Sequence, residues 1–269
     1  MGLATSRQNG QLIQMVKGLH PKSILITGAS SGIGKALAIR YARYGIILHL
    51  AGRDQRRLEG VAAICDEQGA KTQIKVIDVT DKKAMSSWIS ESYTHTPLDL
   101  VIANAGISAG ADNDDDFDKT RGIFTTNLNG VLNTIHPAIQ LMKNEGHGQI
   151  AIVSSFAGYR GLPSAPAYSA SKAAVKAYGE ALRGQLAPEN INISVICPGF
   201  IRSGITDANN FPMPFFMEAP KAAQIIQKGL VKNKPLIAFP WQMRTISYFL
   251  SILPTTIAVK LLSKLPKKV

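Results

Sequence analysis

The chain has 269 residues, is 45% hydrophobic and carries a formal net charge of +12. That length and apolar content fit one substantial α/β core better than two. Cys65 and Cys197 lie far apart without a C-x-x-C, which excludes a disulfide framework and a cysteine metal site and fits a reducing, cytoplasmic compartment. The charge is uneven: residues 219–269 hold nine Lys or Arg and no acidic residue, leaving 21 basic against 18 acidic residues elsewhere. The excess sits in a tail with no nucleic-acid motif and without the polar-aromatic interleaving that base stacking uses, so no nucleic-acid partner is expected.

In chain order, residues 1–20 read as an N-terminal extension. They have no apolar h-region, so no signal peptide is expected, although Met1-Gly2 with Ser6 matches the short myristoylation pattern. A core over 21–240 follows. Ser23 to Thr27 is a β-rich apolar run, and Gly28-Ala-Ser-Ser-Gly32-Ile-Gly34 leads from it into a helix over Lys35 to Tyr44. Strand, glycine-rich turn and helix in that order make the dinucleotide-binding arrangement. The glycines allow close backbone approach, and the helix N-terminus offers N–H groups to a pyrophosphate. The spacing is G-x-x-x-G-x-G, and such a turn alone is a weak signal.

The second strand, Ile46 to Ala51, ends in Gly52-Arg53-Asp54. No carboxylate stands there to hold a ribose 2′-hydroxyl, and the Arg53 guanidinium can pair with a 2′-phosphate, which favours NADP(H) over NAD(H). The alternative is that Arg53 is an ordinary surface cation. Asp54 reads as the N-cap of a helix over Gln55 to Gln68. A third strand, Gln73 to Asp78, would bring Asp78-Val79 beside the adenine. Asp81 starts another helix, and a fourth strand, Leu98 to Ala103, runs into Asn104-Ala105-Gly106. The acid-dense stretch 112–118 reads as a solvated loop and helix start. No metal is expected there, because consecutive carboxylates cannot all converge on one ion.

A long helix from about Phe117 to Asn144 carries Asn127. The remaining elements are a fifth strand (Gln149 to Ser154), a helix through Tyr168 to about Leu186, a sixth strand (Asn192 to Ile196), a helix (Pro220 to Val231) and a seventh strand (Pro235 to Phe239). This alternation predicts an α/β fold, a Rossmann-type doubly wound parallel sheet of about seven strands with helices on both faces. Small residues Ala170, Ala173, Ala174 and Ala177 let the Tyr168 helix pack closely on another helix, as in a homodimer or tetramer.

Tyr168 and Lys172 are four residues apart, one turn along a helix face. An ammonium close to a phenol favours the phenolate, and each unit of pKa shift is worth ~1.4 kcal/mol. The pair is therefore expected to lower the Tyr168 pKa toward working pH. Alone, Tyr and Lys at this spacing are also an ordinary solvated pair. Ser155 ends the fifth strand, where an α/β sheet usually binds its ligand.

Together these residues resemble the short-chain dehydrogenase/reductase family, in order from about Ser23 to Phe239. The motifs are Thr27-Gly-Ala-Ser-Ser-Gly-Ile-Gly34, Asn104-Ala105-Gly106, Asn127, Ser155, Tyr168-x-x-x-Lys172 and Pro198-Gly199. The resemblance implies an NADP(H)-dependent oxidoreductase that interconverts a ketone and a secondary alcohol. Tyr168 would be the proton donor, and Lys172 would lower the Tyr168 pKa and bond the nicotinamide ribose. Ser155 would polarise the carbonyl, and Asn127 would kink its helix and hold a water linking Lys172 to solvent. It also implies cofactor contacts from Gly28, Ser30, Ser31, Gly32, Ile33 and Gly34, from Arg53, Asp78 and Val79, from Asn104, Ala105 and Gly106, and from Pro198, Gly199, Ile201 and Ser203. Ala103 departs from the family's Asn-Asn-Ala-Gly, and Ser203 stands for its usual threonine. A catalytically idle NADP(H)-binding sensor or scaffold is the alternative; such proteins lose the Tyr or the Lys, and both are present here.

Residues 241–269 extend the family fold with a basic, apolar, aromatic-containing segment that reads as an amphipathic helical extension. Fifteen uncharged residues lie between Arg244 and Lys260, broken by Pro254, which is too short for a span of about 20. Three readings stand open: a peripheral membrane contact on anionic lipid, a cover for the substrate cleft, or a subunit interface. Between Pro198 and Pro220, Phe200, Ile201, Phe211, Pro212, Met213, Pro214, Phe215, Phe216 and Met217 form an apolar lid segment, pointing to an apolar, lipid-like carbonyl or alcohol substrate.

Overall fold

The computed structural model describes residues 19–108, 117–207 and 213–263. The N-terminal pattern at Met1-Gly2 and Ser6, the acid-dense residues 112–116, Phe211, Pro212 and the final residues 264–269 lie outside the described residues. Elements follow in the order β1 (Ser23–Thr27), α1 (Gly32–Tyr41), β2 (Ile47–Gly52), α2 (Gln55–Glu67), β3 (Lys71–Val76), α3 (Lys82–His95), β4 (Leu100–Ala103) and α4 (Phe117–Phe124). A π-helical turn (Thr125–Asn129) joins α4 to α5 (Gly130–Glu145). Then come β5 (Gly148–Val153), α6 (Pro166–Leu186), β6 (Ile191–Pro198), α7 (Gly204–Asp207), α8 (Ala219–Val231), β7 (Leu236–Phe239), α9 (Trp241–Ile252) and α10 (Thr255–Leu262).

The described residues form one parallel sheet of seven strands in the order β3-β2-β1-β4-β5-β6-β7. The chain winds outward from β1 to β3, then returns to lay β4 on the other side of β1. That reversal opens a crevice at the carboxyl ends of β1 and β4, the usual ligand position in such sheets. Central strands are buried on both faces, so β1 and β4 are continuous apolar or small runs with no alternation. One apolar layer joins Leu37, Leu48, Leu58 and Ile226, and the other joins Met85, Trp88, Ile135 and Leu182. Each such fully buried side chain stabilises the fold by roughly 1.5–3 kcal/mol.

Several predicted boundaries move by one to three residues, and three of the differences have a clear local reason. β3 begins two residues before expectation and ends before Asp78, because it is an edge strand whose exposed Lys71, Gln73 and Lys75 interrupt the apolar signal. Lysines there also discourage edge-to-edge pairing. α1 starts inside the glycine turn: Lys35 N–H already donates to the Ser31 carbonyl at 3.1 Å. The long helix is interrupted at Thr125–Asn129, where the Gly130 N–H reaches back five residues to the Thr125 carbonyl. Asp54 caps α2 as read, accepting from Arg57 N–H at 3.0 Å, and Asp81 caps α3 in the same way.

Candidate active site

The crevice is a cleft of about 320 Å³. Its floor is the turn after β1. Gly28 and Gly32 hold positive φ, 65° and 52°, which the tight turn needs. Behind them a Cβ on Gly34 would stand 2.2 Å from the Gly28 carbonyl oxygen, so the strand–helix junction closes only with glycine there. Ser31, the N-cap of α1, makes no side-chain capping bond, and the first turn of the helix holds no acidic residue. Its N–H groups are thus left to an anionic ligand.

Asn104 braces this turn from the next strand. Its side-chain amide donates to the carbonyls of Thr27 and Gly28 at 3.0 and 3.2 Å, while Thr27 Oγ1 accepts from Asn104 N–H and Ala105 N–H at 3.1 and 3.2 Å. Thr27 stood in the motif without a role. Only pairing β1 with β4 reveals that it clamps the two loops together.

At the other end Ser155, Tyr168 and Lys172 line one stretch of wall. Ser155 follows β5 and accepts from Ala157 N–H at 3.2 Å, which fixes the chain as it turns away from the sheet. Tyr168 and Lys172 stand on α6, which begins with Pro166 at its first position. The Ser155 hydroxyl lies near enough to the Tyr168 phenol to act on its titration. Lys172 is 4% exposed; its Nζ donates to the Val153 carbonyl at 3.0 Å and lies 5.7 Å from the Tyr168 ring centre. Ser154, not singled out in the sequence, donates to the Lys172 carbonyl at 2.7 Å and so ties α6 to the end of β5.

The electrostatics differ from expectation. Burial pushes the Tyr168 phenol above its usual 10, and the Ser155 hydroxyl works against that rise; no lowering by Lys172 accompanies it. Burial brings Lys172 down to about 8, with a smaller opposing effect from Cys197. Both groups are held toward their neutral forms because a dry wall disfavours either charge. Cys197 is itself buried, which raises its thiol to about 11, and Cys65 is buried too.

Asn127 does not line the cleft. It is fully buried in the π turn, with Oδ1 accepting from Ile107 N–H and Nδ2 donating to the Ile107 carbonyl, both at 2.8 Å, and to Ser171 Oγ at 3.1 Å. Its amide thereby staples the loop after β4 to α6. A Cβ on Gly106 would fall 3.2 Å from both Asn127 Oδ1 and Lys172 Nζ, so the bare glycine keeps that corner open. Gly34 likewise lies behind the wall.

The remaining expected residues do face the cleft. Ser30, Ser31, Gly32 and Ile33 lie on its floor; Ala105 and Gly106 on its side; Pro198, Gly199, Ile201 and Ser203 on its far wall. Thr206 joins them: its hydroxyl accepts from Ser203 N–H at 2.9 Å and donates to the Ile201 carbonyl at 2.8 Å, a bond between neighbouring turns that no motif announces. Arg53, Asp78 and Val79 mark the outer end, where Arg53 is well exposed and 3.8 Å from the Asp78 carboxylate. The glycine cradle, the uncapped helix start and the open corner at Gly106 suit a dinucleotide whose pyrophosphate meets α1 and whose reactive ring lies toward Tyr168.

A family model described as short chain dehydrogenase matches residues 22–212. The chain belongs to the short-chain dehydrogenase/reductase family. Among the relatives of this short-chain dehydrogenase/reductase, an uncharacterized oxidoreductase of Myxococcus xanthus is 36% identical over 236 residues, covering 87% of this chain and 93% of the relative. A protein named 3beta-hydroxysteroid dehydrogenase from Mediterraneibacter gnavus is 36% identical over 197 residues, covering 70% and 69%. Among solved structures, a 3-ketoacyl-ACP reductase from Sinorhizobium meliloti 1021 is 28% identical with a TM-score of 0.73, covering 83% of this chain and 99% of that one. Members of this family are oxidoreductases that use a nicotinamide cofactor.

Proposed function

We propose that this chain interconverts a ketone and a secondary alcohol, running as a reductase with NADP(H), on an apolar substrate. The observation that carries the reading is the meeting of the Ser155 hydroxyl, the Tyr168 phenol and the buried Lys172 in one cleft with a glycine cradle. The cofactor, when bound, supplies or accepts the hydride. The substrate oxygen sits where both hydroxyls can reach it. Ser155 donates a hydrogen bond to the oxygen as negative charge grows there. Tyr168, kept protonated across the neutral range by burial, gives that oxygen its proton. Lys172, fixed by the Val153 carbonyl, stabilises the phenolate left behind until a solvent proton restores it. In the oxidising direction the same phenol must first lose its proton, so that direction gains with rising pH.

Arg53 at the outer end, with Gly52 in place of a carboxylate, supports the choice of NADP(H). Ile201 in the cleft wall, bridged to Met217, with Phe215 and Phe216 exposed just before it in the chain, supports an apolar substrate, as does the hydroxysteroid name of one relative. The exposed Ala170 and Ala173 on α6 support a homodimer or tetramer, and the two buried free thiols support a cytoplasmic site of action. The test is NADPH and NADH oxidation against a panel of small ketones, 3-oxoacyl thioesters, 3-oxosteroids and sphingoid-type ketones. Turnover with NADPH on the apolar members is expected. NADPH binding without turnover on any carbonyl would instead identify an idle cofactor-binding protein.

A further inference from the structure

The helices α9 and α10 are inside out. In α9, Trp241, Tyr248, Phe249 and Ile252 follow the i, i+7, i+8, i+11 spacing of one helix face, the pattern that ordinarily marks the side turned to a core. Here that face points away from the protein: Trp241 is 72% exposed, Phe249 59% and Ile252 61%, while Ser247 on the inner side is 9% exposed. α10 repeats the inversion. Ala258 and Leu262 are buried, and Ile257, Val259 and Leu261 are about half exposed around Lys260. Single exposed apolar residues are ordinary, but two consecutive helices presenting eight of them, Ile246 included, mark an interaction surface.

Charge decides the partner. Residues 219–269 contain nine basic residues and no acidic one, and Arg244 and Lys260 are exposed on the two helices themselves. A second copy docking through this patch would set like charges against each other. An anionic lipid surface meets both features: apolar side chains enter the acyl boundary while Arg244 and Lys260 reach the headgroups. No helix among the described residues is long and apolar enough to cross a membrane. At 12 and 8 residues, α9 and α10 extend about 18 and 12 Å, lengths suited to lying on the surface. They also adjoin the cleft. Met243 of α9 packs so closely on Gly199, a cleft-lining residue, that a Cβ there would meet its sulfur at 2.5 Å. Arg160, near the start of α6, reaches the Ser251 carbonyl at 3.5 Å.

We infer that α9 and α10 are an interfacial anchor for anionic membranes, placed so that the substrate cleft opens beside the lipid. The inference deepens the reading of an apolar substrate and rests on it for its purpose, but its test is separate. The full-length protein with NADPH is mixed with phosphatidylcholine vesicles, with and without 30% phosphatidylglycerol, and followed by flotation and by tryptophan emission. Trp88 is buried, so a blue shift reports Trp241. Binding to the anionic vesicles with a blue shift is expected. F249Q/I252Q/I257Q should weaken it by about 100-fold, and R244Q/K260Q by about 30-fold, with turnover of a water-soluble ketone unchanged in both. Three results would overturn the anchor: no flotation, equal binding to neutral vesicles, or a concentration-dependent dimer that the triple variant abolishes. Flotation with no turnover on any ketone would leave the anchor standing and remove the enzymatic reading.

Discussion

The two ends of the cleft are built on opposite principles. At the reaction end four polar side chains are tied to backbone: Lys172 to Val153, Ser154 to Lys172, Asn127 to Ile107, Ser155 to Ala157. At the outer end Arg53 and Asp78 face solvent, side chain to side chain, 3.8 Å apart. The first arrangement fixes positions before any ligand arrives and holds ionisable groups away from their charged forms. The second leaves a guanidinium free to exchange one anion for another at little cost. Positions are fixed at one end, and charge is left adjustable at the other.

The largest expected effect breaks the reaction end. Tyr168→Phe should lower kcat by about 10²- to 10⁴-fold while NADPH affinity, measured by fluorescence titration, stays nearly unchanged. If kcat hardly moved, the proton would have to come from elsewhere. Next is the pH dependence of stability. In the unfolded chain Lys172 titrates near 10.5 and in the folded one at about 8, so its burial carries no penalty above pH 10.5, and stability is lost as pH falls toward 8. Between pH 10 and 8 this loss is about 2 kcal/mol. Lys172→Met should flatten that slope in urea melts while also reducing turnover, and an unchanged slope would mean that Lys172 is hydrated when folded.

A third change sharpens the contrast by freeing a loop. Asn127→Ala leaves the Ile107 N–H and carbonyl without partners and should cost about 2 kcal/mol, with KM for NADPH rising as the loop after β4 loosens. The smallest effect belongs to the open end. Arg53→Ser should raise KM for NADPH about tenfold and leave NADH unaffected. Equal changes for both cofactors would make Arg53 a general surface cation.

Much of this was readable before any coordinates. The glycine turn, the parallel sheet implied by strand–helix alternation and the Tyr168–Lys172 spacing are local signals, carried by residue types whose backbone limits or periodicity act over a few positions. What sequence could not supply were facts about neighbours distant in the chain. Thr27 grips Asn104 across 77 residues, and the depth of the wall sets the protonation of Tyr168 and Lys172 in a direction that their mutual spacing did not foretell. The tail shows a third limit. Periodicity gave α9 an apolar face, but nothing in the periodicity said which way that face would turn.

The π turn at Thr125–Asn129 carries a consequence for how this family member can vary. It holds one residue more than an α-helix of the same rise needs, and one residue is about 100° of rotation. Deleting it would give α4 and α5 a single regular hydrogen-bond ladder and swing the Asn127 amide a quarter-turn or more away from the loop it holds. Regularity and aim are in conflict at this one place, so a lineage that smoothed the helix would lose the loop's tether in the same step.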